Sequence, residues 1–377
     1  MSTATKGLEG IVAAETRMSY INGEKGILEY VGIAIDDLAR NSSFEETVFL
    51  LWNGRLPRKA ELDAFVKDLR AQYALPSEID ALLRSFPKSA QPMHVLRTAV
   101  SAMAMLDPDP NSTELDAYRK KGLAILAKAP AIIATFDRLR NGKEPVKPDA
   151  SLSFAANFLY MLTGAKPTPT MERAFDVCMI LHADHGLNAS TFTGRVIAST
   201  LSDIYSVMSG AIGALRGPLH GGANEGVMVM LNEIGSLDKV DAFMKDALEN
   251  KKKIMGFGHR VYKAYDPRAT YLKTLAEQLS KDTGNEKLYA MSAKIEKIMH
   301  DAVAAKGIYP NVDFYSATTY HSLGLKLDLF TPMFALSRIS GWAGHCIEQL
   351  AANRLIRPAA EYIGPHDVAY VPLKDRG

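Results

Sequence analysis

The chain has 377 residues, of which 47% are apolar and 23% charged, with 44 basic against 42 acidic side chains and a formal net charge of +2. That balance excludes a nucleic-acid footprint, which needs a one-sided basic excess, and leaves local positive clusters to small anionic ligands. The length favours two domains, or one large bilobed unit, over a single core.

The opening residues Met1–Gly7 contain no apolar core for a signal peptide, and no apolar run reaches the roughly 18 residues of a membrane span. A cytoplasmic location is therefore expected. Ser19-Tyr20-Ile21 and Ile27–Val31 flank the turn sequence Asn22-Gly-Glu-Lys-Gly26 and predict a hairpin, the one convincing strand signal in the chain. Beyond it the pattern is helical almost without relief. Ser43-Phe-Glu-Glu46 reads as a capping box opening a helix through Val48–Trp52, closed by Gly54 and Pro57. Ser77 starts a short helix that Pro87 ends, and Pro92 begins another that Asp107-Pro-Asp-Pro110 stops. A long helix from about Glu114 to Arg140 contains Pro130, which is expected to bend or split it. Asn141 to Pro148 is a polar connector, and Gly164 to Pro169 is a second break.

From Met171 to Glu233 charge thins out, and Gly, Ala, Ser and Met dominate Ser199–Met230, as expected where helices approach closely in a buried centre. Charge returns from Ser236 to His300 on amphipathic helices that read as a smaller appended domain. Cys178 and Cys346, far apart in apolar helical contexts, read as buried free thiols of a reducing compartment. The fold class is all-α.

Several side chains could carry chemistry. His182 and His185 stand in Leu-His-Ala-Asp-His-Gly-Leu-Asn188. As i, i+3 neighbours on a helix they could share a metal, but with no third ligand nearby a substrate hydrogen bond from His185 is the better reading, and His182 reads as packed. His220, in Arg216-Gly-Pro-Leu-His-Gly-Gly-Ala-Asn-Glu225, precedes an apolar helix whose positive end would keep its ring neutral. A neutral imidazole can donate to an enolate-like oxygen; an ordinary turn histidine is the alternative. Gly256-Phe-Gly-His-Arg-Val-Tyr-Lys-Ala-Tyr-Asp-Pro-Arg268 follows Lys251-Lys-Lys253. Its glycines let the backbone approach a bound molecule, His259 offers a donor to a carbonyl, and Pro267 stops any helix and leaves Arg268 on a fixed turn. Tyr309-Pro-Asn-Val-Asp-Phe-Tyr-Ser316 sets Asp313 on an irregular, partly apolar stretch that would raise its pKa and make it a better base. Arg268, Arg338 and Arg357 adjoin turns or helix ends and suit a bidentate grip on carboxylates. If Ile339–Ile356 is one straight helix, Arg338 and Arg357 lie about 28 Å apart at 1.5 Å per residue. They then cannot reach one small substrate within a subunit, which points to an oligomer. His94, His300, His321 and His366 read as structural or exposed, and His345, beside Cys346 in a helical stretch, reads as packed.

In this order and spacing the motifs resemble citrate synthase in its short, two-domain form, from Gly7-Leu-Glu-Gly10 almost to the C-terminus. The resemblance rests on Ser42–Glu46, His185-Gly-Leu-Asn188, Gly217–Glu225, Gly256-Phe-Gly-His259, Asp266-Pro-Arg268 and Tyr309–Asp313. It implies a large helical domain from residues 1–220 and 322–377, with a small domain, 221–321, that closes over the cleft. It implies that His220, His259 and Asp313 are catalytic, that His185, Arg268, Arg338 and Arg357 bind oxaloacetate, and that Arg357 comes from the other subunit of a homodimer. Lys253, Ile254, Met255, Gly256 and Phe257 would line the coenzyme A site, with acetyl-CoA as cosubstrate, no metal and no permanently bound cofactor. The extra N-terminal region of hexameric, NADH-inhibited forms is not expected. Rival readings are a 2-methylcitrate synthase on the same residues, a metal hydrolase using His182, His185, His220 and His259, and a non-catalytic helical scaffold.

Overall fold

The computed structural model describes residues 5–377, so the first four residues of the leader-free start expected above lie outside it. A small antiparallel sheet comes first, β1 (Ser19–Asn22), β2 (Ile27–Tyr30) and β3 (Ile33–Ala34), in the order β1-β2-β3. Ser19 pairs with Tyr30 and Asn22 with Ile27, the hairpin register expected from the turn sequence. The third strand follows from a tight turn at Val31-Gly32, both at positive φ.

Sixteen α-helices follow among the described residues. They are α1 (Ile35–Asn41), α2 (Phe44–Asn53), α3 (Lys59–Ala71), α4 (Ser77–Ser85), α5 (Pro92–Met103), α6 (Leu115–Arg140), α7 (Phe154–Thr163) and α8 (Pro169–His182). The rest are α9 (Ala189–Ser199), α10 (Ile204–Leu215), α11 (Ala223–Ile234), α12 (Val240–Glu249), α13 (Pro267–Thr283), α14 (Glu286–Val303), α15 (Val312–Ser322) and α16 (Phe330–Ala351). The expected start and stop signals act largely as read. Ser43 Oγ caps α2 by accepting from Glu46 N–H, but the Glu46 carboxylate accepts from Ser42 Oγ rather than from the Ser43 amide, so only half of the capping box forms. Pro130 does not split α6, which runs 26 residues through it with Pro130 buried. Packing of the helix against α5, α7 and α16 holds the turn that lacks one amide hydrogen bond.

The centre of the molecule is α16, buried along almost its whole length and packed on α2, α6, α8, α9 and α10. Gly341 lets it lie directly on the turn after α8: a Cβ there would sit 2.3 Å from the Ala183 carbonyl oxygen. The helix ends at Ala351, so the single helix expected over Ile339–Ile356 is interrupted, and the remainder of the chain to residue 377 is an α-helix-free arm. That arm exposes Leu355, Tyr362, Ile363, Val368 and Tyr370. Helices α11 to α15 form a second group in which α15 packs on α11, α13 and α14. One face of α13 also rests on α1 and α8, and α11 touches α16, so the groups share a wall. Cys178 and Cys346 are buried and free.

Candidate active site

The wall between the two groups holds the two arginines on which the site is built. Asp266 caps α13 through the Arg268 amide, and Pro267 occupies the first helical position, where its missing N–H costs nothing. Pro267 thus starts a helix instead of stopping one, and Arg268 lies in the first turn rather than on an isolated bend. Its guanidinium is gripped twice by Asp266, Nε to Oδ1 at 2.9 Å and Nη2 to Oδ2 at 2.7 Å, with both side chains almost fully buried. Arg338 sits mid-helix in α16, not at a helix end. Its Nε donates to the His182 carbonyl at 2.7 Å, and its guanidinium carbon lies 4.6 Å from the Phe334 ring centroid. Burial, only partly offset by Asp184 and Tyr30, lowers its pKa to about 10, which leaves it charged at neutral pH. Among the described residues the rest of that guanidinium has no hydrogen-bond partner, so it is available to a carboxylate ligand.

Three imidazoles surround these charges, all of them neutral at physiological pH. The α8 helix ends at His182, so His182 and His185 do not share a helix face as the metal reading required. His182 Nδ1 donates to the Cys178 carbonyl at 2.7 Å, and burial lowers its pKa to about 3. His185 lies on the following turn, 3.1 Å from the Tyr262 hydroxyl through Nε2; burial and the Arg268 charge keep it well below the usual histidine range. Its ring centroid is 5.3 Å from that of His259. His259 Nδ1 accepts the amides of Val261 (3.0 Å) and Tyr262 (3.2 Å), so the neutral ring carries its proton on Nε2. Burial and Arg268 bring its pKa to about 4. Among the described residues no three His, Cys, Asp or Glu side chains are arranged to hold a metal ion.

His220 approaches from the opposite side, on the turn between α10 and α11. Its Nε2 accepts the Ser190 amide at 3.3 Å and lies 2.8 Å from Ser190 Oγ, which in turn accepts Trp342 Nε1–H at 3.1 Å. Nε2 is thus an acceptor and the proton sits on Nδ1. The ring pKa falls to about 4, as expected in direction, but through burial and the Arg338 charge. The α11 helix begins at Ala223, three positions beyond His220.

Asp313 is the second residue of α15, where the sequence predicts an irregular stretch; Asn311 caps the helix and accepts the Asp313 amide at 3.0 Å. The segment is carried to the site by pairing with the glycine loop: Gly258 N–H donates to Tyr309 O and Asn311 N–H to Gly256 O, each at 2.9 Å. The carboxyl is half-buried and accepts no hydrogen bond among the described residues. Burial raises its pKa to about 6 against the attraction of Arg268 and Arg338, with Asp266 adding repulsion. The expected direction is met.

Two predicted groups are placed differently. Arg357 is exposed, on the arm six positions beyond the end of α16. In the segment Lys253–Phe257, Ile254 and Phe257 face inward, Phe257 packing edge-on to Phe314 at 4.8 Å, while Lys253 is exposed and Met255 half-buried. Gly256, at φ +78°, admits Val227 and Phe314 to within 3 Å of where a Cβ would stand, so it serves helix packing. Gly258 faces open space and is the glycine past which a ligand could slide.

Sequence reasoning missed the supporting role of four side chains, although His345 is packed as expected. Tyr262 is buried between His185 and His259, its ring 5.7 Å from the Arg268 guanidinium. Asp266 also accepts the Val312 amide at 3.3 Å, tying Arg268 to the helix of Asp313. Asp184 and His345, both fully buried, pair at 3.1 Å behind His185. The Asp-Pro-Arg sequence carries a helix-cap signal that could have identified Asp266; nothing local marks the other three.

The family model described as "Citrate synthase, C-terminal domain" matches residues 7–359. The chain is 50% identical over 376 residues to a citrate synthase of Deinococcus radiodurans, covering all of both chains. It is 43% identical, again over the full length of both, to a 2-methylcitrate synthase of Corynebacterium glutamicum. Its fold superposes on citrate synthase from the archaeon Thermoplasma acidophilum, solved as a ternary complex with carboxymethyl coenzyme A and oxaloacetate, with a TM-score of 0.92, 37% identity and full coverage of both chains.

Proposed function

The chain belongs to the citrate synthase family and performs that family's acyl transfer, condensing acetyl-CoA with oxaloacetate and water to citrate and free CoA, and we propose that Asp313, His220 and His259 carry the chemistry. The observation that supports this most is the proton inventory of the site. It contains two neutral imidazoles whose proton-bearing nitrogens are set by backbone donors, and one carboxyl poised near neutrality.

A thioester methyl is a very weak acid, so a carboxylate in water cannot deprotonate it. Asp313, with a pKa raised to about 6, is still ionised at neutral pH yet more basic than a solvated carboxylate. It takes the methyl proton while His220 Nδ1–H donates to the thioester oxygen, where charge develops. The enolate carbon attacks the ketone carbon of oxaloacetate, whose oxygen takes the His259 Nε2 proton and becomes the citryl hydroxyl as the C–C bond forms; the proton held by Asp313 then restores His259 through water. Arg268, Arg338 and His185 hold the carboxylates. Water then adds to the citryl thioester, releasing citrate and the CoA thiol.

Residues 221–321 act as a small domain that swings over bound oxaloacetate and completes the acetyl-CoA pocket, with Lys253 and Met255 facing the coenzyme and Ile254, Gly256 and Phe257 forming the packed floor beneath them. The working unit is a cytoplasmic homodimer. In it the arm beyond Ala351, which leaves apolar side chains uncovered in the single chain, lies on the partner and delivers Arg357 to the partner's site. The test is thiol release from acetyl-CoA and from propionyl-CoA in the presence of oxaloacetate. Preference for acetyl-CoA supports the reading; a reversed preference assigns the chain to 2-methylcitrate synthesis, a difference of one methylene worth about 1–3 kcal/mol.

A further inference from the structure

The N-terminal hairpin takes no part in the chemistry above, yet it touches both loops that carry the substrate histidines. At its open end, Ser19 Oγ donates to Asp184 Oδ2 at 2.6 Å and accepts the Gly186 amide at 3.0 Å. The Tyr30 hydroxyl donates to the Asp184 carbonyl at 2.8 Å and accepts the Asp184 amide at 3.1 Å. These contacts bracket His185 on both sides. At its closed end, the Gly23 carbonyl accepts the amides of Lys263 at 3.0 Å and Ala264 at 3.4 Å. The turn lies so close to the His259 loop that a Cβ on Gly23 would stand 2.0 Å from the Val261 carbonyl oxygen.

That oxygen belongs to the same planar peptide unit as the Tyr262 amide, which donates to His259 Nδ1. Whatever displaces the carbonyl therefore rotates the donor that orients the imidazole. We propose that the Ser19–Tyr30 hairpin is a positioning clamp for oxaloacetate: it spans from the His185 turn to the His259 loop and sets the separation of the two rings. Gly23 is the residue that admits the loop. This rests on the reading that His185 and His259 hold oxaloacetate. The hairpin is suited to the task because it is short, hydrogen-bonded along its length and anchored on the His185 turn, so that its Gly23 end is the stop on which the His259 loop comes to rest when residues 221–321 close.

The experiment compares steady-state kinetics of Gly23→Ala and Gly32→Ala in the full chain. Gly32 lies in the other turn of the same sheet at φ +79°, with nothing within 4 Å of an added Cβ. Its replacement strains the sheet without touching either loop. Gly23→Ala is expected to raise the oxaloacetate KM by about tenfold or more, since misplacement of a binding group by an ångström is that costly, with the acetyl-CoA KM within about twofold. Gly32→Ala is expected to lower thermal stability and leave both KM values near wild type. An unchanged oxaloacetate KM in Gly23→Ala, or an equal rise in Gly32→Ala, overturns the clamp. If Gly23→Ala does not fold, Ser19→Ala decides the matter by the same criterion, because it loosens the other end without adding bulk. His185→Ala separates the two levels of the argument: if it leaves the oxaloacetate KM unchanged, the site reading itself fails. If it raises that KM while Gly23→Ala and Ser19→Ala do not, only the clamp falls.

Discussion

Replacing Asp313 by asparagine should abolish condensation and at the same time stabilise the fold. The carboxyl ionises at about 6 in the folded chain against 3.8 when solvated, because burial penalises its charge. The folded state therefore holds this proton more tightly than the unfolded state, and stability falls as pH rises between the two values. The penalty is absent well below 3.8 and complete above about 6. Two units of pKa correspond to at most about 3 kcal/mol at pH 8, and about half of that remains at pH 5. The asparagine amide would carry no charge at any pH and keep the shape. Urea denaturation at fixed protein concentration should give a higher midpoint for Asp313→Asn at pH 8, with the gain shrinking at pH 5, while thiol release is lost at both. An equal or lower midpoint at pH 8, or a gain independent of pH, would show that Asp313 is not a desolvated carboxylate and would remove the basis for its role as the base.

The acid limb of the kcat/KM profile, which reports the free enzyme, should follow one ionisation near pH 6, since Asp313 must be ionised and the rings of His220 and His259 stay neutral down to about 4; a limb near pH 4 would contradict this. Those two histidines, with folded pKa values below the solvated 6.5, should also make stability fall as pH drops from 7 towards 4, because the unfolded chain then binds more protons. Asp266→Asn breaks the buried grip on Arg268 and should cost roughly 3–5 kcal/mol of stability together with a raised oxaloacetate KM; a variant of wild-type stability would mean the pair is dispensable. Arg357→Ala homodimers should be inactive, and mixed dimers with Asp313→Ala should regain part of the activity, because one of the two sites is then intact. No recovery in purified mixed dimers would place Arg357 outside the partner's site.

Much of the site is legible in the linear chain because its chemistry is carried by short motifs whose neighbours are also their spatial neighbours. The glycine loop holds His259 through amides two and three positions on, and the Asp266-Pro-Arg268 motif keeps Arg268 beside its own ion-pair partner. Errors arise where a rule of local propensity meets packing. Local rules have Pro130 bend or split α6, yet the helix is buried on several sides and is not split there. Pro267 reads as a stop because the residue before it disfavours helix, but that same restriction makes Asp266 a good N-cap. The histidine at 220 is neutral as expected, for a reason that no sequence window contains: the burial of its ring and a charge from α16.

The residue sequence by itself determined the all-α class and the hairpin, which depend on periodicity and on contacts within a few positions, and its motifs indicated the family and nominated the groups proposed to react. Only the tertiary structure decided that Asp184 and His345 back His185, and that the hairpin reaches both histidine loops. Those outcomes depend on groups more than a hundred residues apart meeting in a low-dielectric interior, as Ser19 meets Asp184 and Gly23 meets Val261. Hydrogen-bond direction and desolvation are properties of that meeting, and neither partner's local sequence encodes it.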